Sequence, residues 1–364
     1  MSSGPAIPPG NSRRSGNGPA ERLKAMFPLD WEIVRHMGAE PIPYHLKKWW
    51  FCLGGTILYL FVVQVATGIA LTFYYVPTPQ EAYASVAAIT QEIRFGWFIR
   101  SLHKWSGNFM IVAAMLHMLR VFFTGAYRYP RQLNWCIGFL LLATTLTFGF
   151  TGYSLVYEQL SFWGATVATN LAEAVPLIGP WMAFFLRGGP EVGENTLTRF
   201  FILHIGILPT VVLALIAAHI LMVRLHGVTE LSFEGEEDSQ NKKHFQFWPD
   251  HATTEILIGV LLMYLLTITA LIFPAELGEP ANPNETPLHI KPEWYFYFNF
   301  RLLKLTSLKI SVVLTLAIVG IAFFWPFIEE WLRRRWRLSD NVPVVLGALA
   351  FMIFLVLTVW ESLA

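Results

Sequence analysis

Charged residues are scarce in this chain of 364 residues. Asp, Glu, Lys and Arg make up 14% of it, against about 25% in a typical soluble domain, whereas hydrophobic residues account for 54%. This balance excludes a water-soluble globular domain as the main body and favours a single helical bundle in lipid. A formal charge of +1 gives no basis for a nucleic-acid partner.

Cysteine is also scarce, since the chain contains only Cys52 and Cys136. Both stand near the side that we infer below to be cytoplasmic, where reducing conditions disfavour a disulfide. Neither belongs to a Cys-x-x-Cys-His motif. Taken by themselves, both residues are explained most simply as small buried side chains.

The sequence begins without the apolar core of a secretory signal. Residues 1–26 are rich in Pro, Gly, Ser and Arg, which predicts a disordered cytoplasmic arm. In residues 27–44, apolar side chains stand singly among charged ones, which predicts a segment lying on the membrane surface.

Seven apolar stretches approach or exceed the roughly 20 residues needed to cross the hydrocarbon core. They are residues 49–75, 101–127, 132–157, 200–223, 256–275, 310–328 and 341–360. An eighth stretch, 162–186, is interrupted by Glu173, Pro176 and Pro180, so a re-entrant or interfacial helical hairpin is expected there. The predicted fold is therefore all-α, a polytopic bundle with seven spans.

Basic residues indicate the orientation of these spans, because Lys and Arg accumulate in cytoplasmic loops. On one side stand Arg13, Arg14, Arg22, Lys24, Arg35, Lys47, Lys48, Arg128, Arg131, Arg224, Lys242, Lys243, Arg333, Arg334, Arg335 and Arg337. That side is predicted to be cytoplasmic, with the N-terminus on it. A polar linker, 226–252, divides a four-helix domain (27–225) from a three-helix domain (253–364).

Four histidines lie within two of the spans, where ionisable side chains are costly and mark functional candidates. His103 and His117 are 14 residues apart, and His204 and His219 are 15 apart. Such intervals correspond to about 21 Å of helical rise and return to nearly the same face. One buried histidine could be satisfied by an interhelical hydrogen bond, but four at this spacing predict two haem irons, each between two imidazoles.

Glycines and arginines accompany the histidines. The first and third spans repeat the interval of 14 residues with Gly54 and Gly68, and with Gly138 and Gly152. Glycine allows close approach of a flat macrocycle or of another backbone. Arg100 and Arg120 flank the histidine pair of the second span, where they could bind haem propionates, the alternative being interfacial snorkelling.

The loop after the fifth span carries Lys-Pro-Glu-Trp-Tyr at 291–295, followed by aromatic residues up to 300. Glu293 is a candidate proton acceptor, because apolar surroundings raise the pKa of a carboxyl group. The alternative is an interfacial aromatic anchor. Because this loop and the predicted hairpin lie on the same side, a quinol pocket is expected between them.

Together these residues resemble the cytochrome b family of quinol-oxidising complexes, in particular cytochrome b6 joined to subunit IV. The likeness runs from about residue 30 to the C-terminus. It rests on the four histidines, their intervals of 14 and 15, and the Pro-Glu-Trp-Tyr motif. The interval of 15 is typical of the b6 branch. Phe-Trp-Gly-Ala-Thr at 162–166, by contrast, resembles the mitochondrial form of the helix that lines the outer quinol site.

The resemblance implies specific roles. One b-type haem is expected between His103 and His204 on the outer side, and the other between His117 and His219 on the cytoplasmic side. Glu293, with Tyr295 of the same motif, is the expected catalytic group for quinol oxidation. The reaction implied is a Q-cycle, in which outward proton translocation accompanies electron transfer to a Rieske iron–sulfur protein and to quinone. A c-type cytochrome or similar acceptor, and a homodimeric complex, are the other expected partners.

The resemblance gives Cys52 a second interpretation. It stands in Phe-Cys-Leu-Gly-Gly at 51–55, where b6-type proteins attach a third haem by one thioether, and Arg224 matches their propionate-binding arginine. An unmodified buried thiol stays the alternative. Cys136 has no such counterpart.

This chain also departs from the family pattern. After Gly-Tyr-Ser-Leu at 152–155 the family usually has proline, whereas here Val-Tyr-Glu follows at 156–158. Because the two halves are continuous and only three spans follow the linker, a bacterial respiratory complex in the inner membrane is expected. Two rival functions are a dihaem anchor of another quinone-linked dehydrogenase and a haem-free transporter with histidine proton relays.

Overall fold

The computed structural model describes residues 41–43, 49–229 and 244–364. The predicted N-terminal arm, most of the predicted surface segment and the middle of the linker lie outside these residues. Within them the chain is almost entirely helical. A pair of antiparallel strands, β1 (Pro41–Pro43) and β2 (His244–Gln246), is the one sheet found in the described part and the one departure there from an all-α fold.

Eleven helices longer than one turn follow one another in the described residues. They are α1 (Leu53–Thr72), α2 (Ala82–Gln91), α3 (Gly96–Phe123), α4 (Gln132–Leu155), α5 (Gln159–Glu173), α6 (Gly179–Arg187), α7 (Glu194–His226), α8 (Phe247–Ile272), α9 (Tyr297–Leu305), α10 (Leu308–Trp336) and α11 (Asn341–Leu363). Seven of these are long and apolar enough to span a membrane, namely α1, α3, α4, α7, α8, α10 and α11. The prediction of seven spans is confirmed.

Helix ends differ from the predicted borders by several residues. Helix α3 begins at Gly96 and α7 at Glu194, whereas the apolar stretches begin at 101 and 200. Hydropathy marks only the part of a helix that lies in hydrocarbon, while backbone hydrogen bonding continues into the polar interface. Glu194 also stabilises the positive end of the α7 dipole.

The interrupted stretch folds into two short helices, α5 and α6, as predicted. Buried Arg187 at the end of α6 joins them. It donates to the Asn170 side-chain oxygen at 2.6 Å and to the Thr169 hydroxyl at 3.0 Å, and it forms an ion pair with Glu173 at 2.8 Å. The turn between the helices contains Pro176, which has no amide hydrogen to donate.

Large apolar side chains face outward along most spans. Only 6% of the most apolar stretch of α11 is buried, although its mean hydropathy is the highest of the seven. Such a surface would be unstable in water and is stable in lipid. Inside the bundle, α1, α3, α7 and α8 meet in a core that includes Leu60, Leu102, Val212 and Leu266.

Polar contacts join the second half of the chain to the first near the C-terminal end of α10. The fully buried carboxylate of Glu329 in α10 accepts hydrogen bonds from Tyr127, Arg128 and Arg333. The indole nitrogen of Trp135 in α4 donates to the Ala322 carbonyl at 2.9 Å. These contacts fix α10 against α4.

Candidate functional site

The four histidines form two pairs, one above the other. The ring centroids of His103 and His204 are 6.3 Å apart, and those of His117 and His219 are 6.4 Å apart. In each pair one ring belongs to α3 and the other to α7. We call the first pair the outer layer and the second the inner layer. The structure thus brings together the residues that the sequence intervals paired.

A π-helical turn explains how an interval of 15 residues matches one of 14. His204 lies in the turn Leu203–Ile207, which interrupts α7 with i to i+5 hydrogen bonding. A π turn takes up one extra residue without turning the following helix to another face. His204 and His219 can therefore both face the histidines of α3.

Threonine hydroxyls orient both imidazoles of the outer layer. Thr67 donates its hydroxyl hydrogen to the Val63 carbonyl, so its oxygen accepts from Nδ1 of His103 at 2.9 Å. Thr151 donates to the Thr147 carbonyl and likewise accepts from Nδ1 of His204 at 3.1 Å. A hydrogen on Nδ1 leaves Nε2 with a free lone pair, which is the form that ligates a metal.

The inner layer has different neighbours. Nδ1 of His117 lies 3.2 Å from Nη2 of Arg120. Nδ1 of His219 is buried and faces the backbone of Asn134 without a well-formed hydrogen bond, and Nε of Arg120 is buried with no hydrogen-bond partner among the described residues. Buried polar atoms without partners are rare and call for an explanation. A propionate of a bound haem would supply an acceptor for Nε of Arg120.

The predicted glycines lie directly against the histidine rings. A Cβ added to Gly152 would come within 2.7 Å of Cε1 of His204, and one on Gly68 within 3.2 Å of His103. In the inner layer the corresponding distances are 3.4 Å from Gly138 to His219 and 3.7 Å from Gly54 to His117. Each histidine therefore has a glycine beside it, and the outer layer is the more tightly packed of the two.

The spacing of the rings agrees with two ligands of one metal ion. An imidazole nitrogen lies about 2.0–2.1 Å from a ligated metal and about 1.1 Å from the ring centre, so two opposed ligands have centroids about 6.3 Å apart. The observed separations are 6.3 Å and 6.4 Å. Each pair therefore fits one haem iron.

A cavity of about 320 Å³ opens beside the outer layer. It lies between α4, α5 and the segment that carries Glu293, and apolar side chains form most of its wall. The lining residues include Phe150, Tyr153, Gly164, Pro292, Glu293 and Phe296. Thr147, another lining residue, accepts the hydrogen bond of Thr151, which contacts His204. The cavity wall is thus hydrogen-bonded to the outer layer.

Glu293 and Tyr295 both line this cavity, and its assignment as a quinol pocket stays a prediction. Burial raises the pKa of Glu293, and Glu158 also raises it, while Lys104 opposes the shift. Tyr295 is buried, and its hydroxyl lies where a side chain at Gly149 would otherwise be. Burial raises the pKa of Tyr295 as well, so its phenol stays protonated.

Cys52 lies one residue before α1 and is almost completely buried. Its sulfur and one ligand atom each of His251 and Glu255 lie within 4.8 Å of one another. Burial, with a contribution from Glu255, raises the pKa of the Cys52 thiol to about 11. Nδ1 of His251 is buried and makes no hydrogen bond to the part of the chain that the structure describes. By geometry these three side chains could hold a metal ion.

The predicted arginines occupy three different settings. Arg100 in α3 donates to the carbonyls of Ala275 and Glu276, both at 2.8 Å. Arg120 lies beside His117, as described above. The guanidinium of Arg224 lies over the Phe247 ring at 5.7 Å, in the same layer as His251.

Several site residues escaped the sequence reasoning. Thr67 and Thr151 each directly precede a predicted glycine, so the repeated Thr-Gly pair on α1 and α4 was a usable signal. Tyr153 and Glu158 gave no signal of their own, because their roles depend on how α5 and the later loop fold back. His251 and Glu255 form an ordinary i, i+4 pair on α8 whose relation to Cys52 requires the tertiary structure.

Two family models match the chain. "Cytochrome b/b6/petB" matches residues 37–227, and "Cytochrome b(C-terminal)/b6/petD" matches residues 280–363. The cytochrome bc complex cytochrome b subunit of Chlorobaculum thiosulfatiphilum is 38% identical over 82% of this chain and 70% of its own length. Cytochrome b6 of Heliomicrobium gestii is 44% identical over 57% of this chain and 98% of its own.

The fold also has a close counterpart among solved structures. A chain of a hyperthermophilic respiratory Complex III superposes with a TM-score of 0.77, covering 94% of this chain and 99% of that one. At 24% identity, this likeness supports the fold alone.

Fold and site define a class, that of multi-pass membrane proteins with stacked histidine pairs on two transmembrane helices. Within that class, the chain belongs to the cytochrome b/b6 family, whose members carry b-type haems. The resemblance inferred from the histidine intervals and the Pro-Glu-Trp-Tyr motif is confirmed.

Proposed function

We propose that this chain is the cytochrome b subunit of a bc-type complex and that it oxidises quinol in the cavity beside the outer layer. The observation that carries the proposal is the joint position of a buried carboxylate, an apolar cavity and a histidine pair. Glu293 lines the cavity, and Thr147 and Thr151 connect its wall to His204. The relative from Chlorobaculum, named as a cytochrome b subunit of a bc complex, supports the assignment.

Residues of the cavity have separate tasks in this reaction. The apolar wall binds the quinol ring and excludes water, which strengthens the electrostatic effects inside the site. Glu293 accepts a proton from the quinol hydroxyl. Its raised pKa brings it closer to the pH at which a general base is effective. Tyr295, two residues after Glu293, is buried and lines the same cavity.

The histidines would hold the two b-type haems, His103 with His204 and His117 with His219. Glycines at 54, 68, 138 and 152 leave room beside the rings, and Arg120, which lies beside His117, would be placed to bind a propionate at the inner layer. When bound, the haems supply one-electron carriers between the outer cavity and the cytoplasmic side. One electron of each quinol leaves to a Rieske iron–sulfur partner, the other reaches quinone on the cytoplasmic side, and protons are released outside.

Cys52 would hold a third haem through a thioether, with Arg224 binding a propionate. The thiol adds across a haem vinyl group, so no oxidant is required. A buried thiol beside an imidazole and a carboxylate supports this, as does the b6-type context of its sequence. The remaining parts of the proposal are a c-type cytochrome or similar acceptor, a homodimeric complex, and a bacterial inner membrane with the N-terminus in the cytoplasm.

The main test measures quinol oxidation by the purified complex as a function of pH. Glu293→Gln cannot accept the proton, and we expect the rate to fall by about 100-fold or more. Glu293→Asp keeps the carboxylate and should retain a larger part of the activity. Because burial raises the pKa of Glu293, the wild-type rate should fall on acidification at a pH above that of an ordinary glutamate.

Difference spectra separate the rival functions. Absence of b-type absorption bands in the reduced-minus-oxidised spectrum would leave the haem-free transporter. Haem bands with quinol oxidation that is indifferent to Glu293 would favour a dihaem anchor of another dehydrogenase.

Haem staining after denaturing electrophoresis tests the third haem, because only a thioether keeps haem on the unfolded chain. Staining of the wild type and loss of staining in Cys52→Ala are expected. An unstained wild-type band refutes the covalent haem and leaves the rest of the proposal standing.

A further inference from the structure

Glu158 occupies a junction between the two halves of the chain on the outer side. It is the residue directly before α5, and its backbone is extended. Its Oε2 accepts a hydrogen bond from the Gly278 amide at 2.7 Å. A short bridge pairs Glu158 with Pro280, and the Gln159 amide donates to the Glu279 carbonyl at 2.8 Å. The side chain therefore attaches the loop after α8 to the start of α5.

The same loop is held from other sides. Arg100 of α3 donates to the carbonyls of Ala275 and Glu276, and the Tyr83 hydroxyl donates to the Gly278 carbonyl at 2.7 Å. Gly278 packs closely against Glu158, since an added Cβ would lie 3.1 Å from the carboxylate oxygen. This loop leads directly to Glu293, so its attachment bears on the position of the proton acceptor.

Charge gives Glu158 a second connection to the cavity. Its carboxylate interacts electrostatically with Arg100, Tyr153 and Glu293. Tyr153 and Glu293 both line the cavity, whereas Glu158 does not. The negative charge of Glu158 thus acts on the quinol site from behind its wall.

Other charged and titratable groups also face Glu293. Lys104 of α3 lowers its pKa, while burial and Glu158 raise it. Tyr153, Tyr295 and Tyr297 interact with its charge. Glu158 is the one carboxylate that raises the pKa of Glu293 within the described residues, which makes its removal informative.

We propose that Glu158 is a positioning residue for quinol oxidation, which anchors the loop that carries Glu293 and acts on Glu293 through its own negative charge. The inference rests on the proposed function and deepens it. It gives a role to Glu158, the last residue of the Val-Tyr-Glu segment at which this chain departs from the family pattern. Glu158 itself does not touch the quinol.

Two substitutions separate the anchor from the charge. Glu158→Gln keeps an oxygen that can accept from the Gly278 amide but removes the charge. Glu158→Ala removes both. Glu279→Gln is the matched control. Glu279 is an exposed carboxylate of the same loop, but its side chain does not accept the hydrogen bond of the Gly278 amide and does not shift the pKa of Glu293. All variants are measured in the intact purified complex, with the haem difference spectrum as the check on assembly.

The expected results differ in kind. In Glu158→Gln the acid limb of the quinol-oxidation rate moves to lower pH, because loss of a like charge makes Glu293 easier to deprotonate, and KM for quinol stays unchanged. In Glu158→Ala the same shift is joined by a fall of about tenfold in kcat/KM, since a charge-assisted hydrogen bond to the loop is lost. Glu279→Gln behaves as the wild type.

A Glu158→Gln profile that coincides with those of the wild type and Glu279→Gln overturns the electrostatic role. Unchanged kcat/KM in Glu158→Ala overturns the anchoring role. If Glu158→Ala does not assemble, the isosteric glutamine variant still decides the first point. Failure of the wild type to oxidise quinol would instead refute the proposed function, so the two failures are distinct.

Discussion

The outer and inner layers use the same pair of ligands in different surroundings. Thr67 and Thr151 orient both rings of the outer layer through Nδ1, and a Cβ added to Gly68 or Gly152 would lie 3.2 Å or 2.7 Å from the neighbouring ring. In the inner layer Arg120 approaches His117, and Nδ1 of His219 faces the backbone of Asn134. Side-chain hydroxyls therefore orient both outer ligands, whereas a charged side chain lies beside one of the inner ligands.

This difference accords with the tasks of the two layers. The outer layer lies beside the cavity, where its geometry relative to Glu293 must be maintained while quinol enters and leaves. Fixed neighbours reduce the reorganisation that accompanies each reaction. In the inner layer Arg120 also contacts the Phe51 ring, next to Cys52. A positive charge at this position affects the reduction potential of a bound haem more than the orientation of its histidine ligand.

The largest expected effect concerns the packing of glycine against histidine. Gly152→Ala places a methyl group about 2.7 Å from Cε1 of His204, so we expect displacement of this ring and loss of the outer haem. The same change at Gly54, where the distance is 3.7 Å, is ordinary van der Waals contact. Reduced-minus-oxidised spectra of the purified complex should lose about half of the b-type absorbance in Gly152→Ala and little in Gly54→Ala.

Equal haem contents in the two alanine variants would contradict the tighter packing of the outer layer. Gly138→Ala, at 3.4 Å from His219, provides an intermediate case within the inner layer.

A smaller effect is expected from the threonine hydroxyls. Thr151→Val keeps the shape of the side chain but leaves Nδ1–H of His204 without an acceptor. Loss of such a partner typically weakens metal-group binding by about 10–100-fold. We expect faster transfer of the outer haem to an excess of a haem-scavenging apo-globin, with the inner haem unaffected.

Thr151→Ser, which restores the hydroxyl, should return transfer to the wild-type rate. If serine and valine behave alike, the methyl group and not the hydrogen bond is what matters at this position.

The charge of Arg120 should influence only the inner layer. Arg120→Gln removes a buried positive charge beside His117, so the reduced haem loses stabilisation and its midpoint potential should fall. We expect a decrease of about 30–60 mV in a redox titration, corresponding to a three- to tenfold change in the equilibrium constant of a one-electron couple. Arg120→Lys should recover most of the loss. A comparable shift in the outer haem would show that the layers are not independent.

Sequence reasoning found the ligands but not what orients them. The histidine intervals predicted both pairs because helical rise and turn are nearly constant, and the interval of 15 was accommodated by a π turn that no residue pattern announced. The hairpin at 159–187 was predictable because Pro176 and Glu173 cannot continue a buried span. The seven spans were predictable because each contains an apolar stretch long enough to cross the hydrocarbon core.

The remaining contacts depend on tertiary structure. Glu158 meets Gly278 across 120 residues of sequence, and Cys52 meets Glu255 across about 200, so neither contact has a local signature. Arg100 was predicted as a propionate ligand from its place beside His103, and that prediction stays untested. Its terminal nitrogens donate to the loop at 275–276, because α3 begins earlier than hydropathy indicated and carries Arg100 beneath that loop.

The smallest expected effect distinguishes the two cysteines of the chain, Cys52 and Cys136. Cys136 packs between Tyr127 and Trp135 with its sulfur 3.6 Å from the Phe323 carbonyl, and it has no imidazole or carboxylate in its described surroundings comparable to those of Cys52. Cys136→Ala should therefore lower the free energy of unfolding by about 1 kcal/mol through lost packing. Haem staining on denaturing gels should be identical to that of the wild type, while Cys52→Ala should remove it. Reduced staining in Cys136→Ala would mean that α4, and not α1 alone, contributes to the attachment of the third haem.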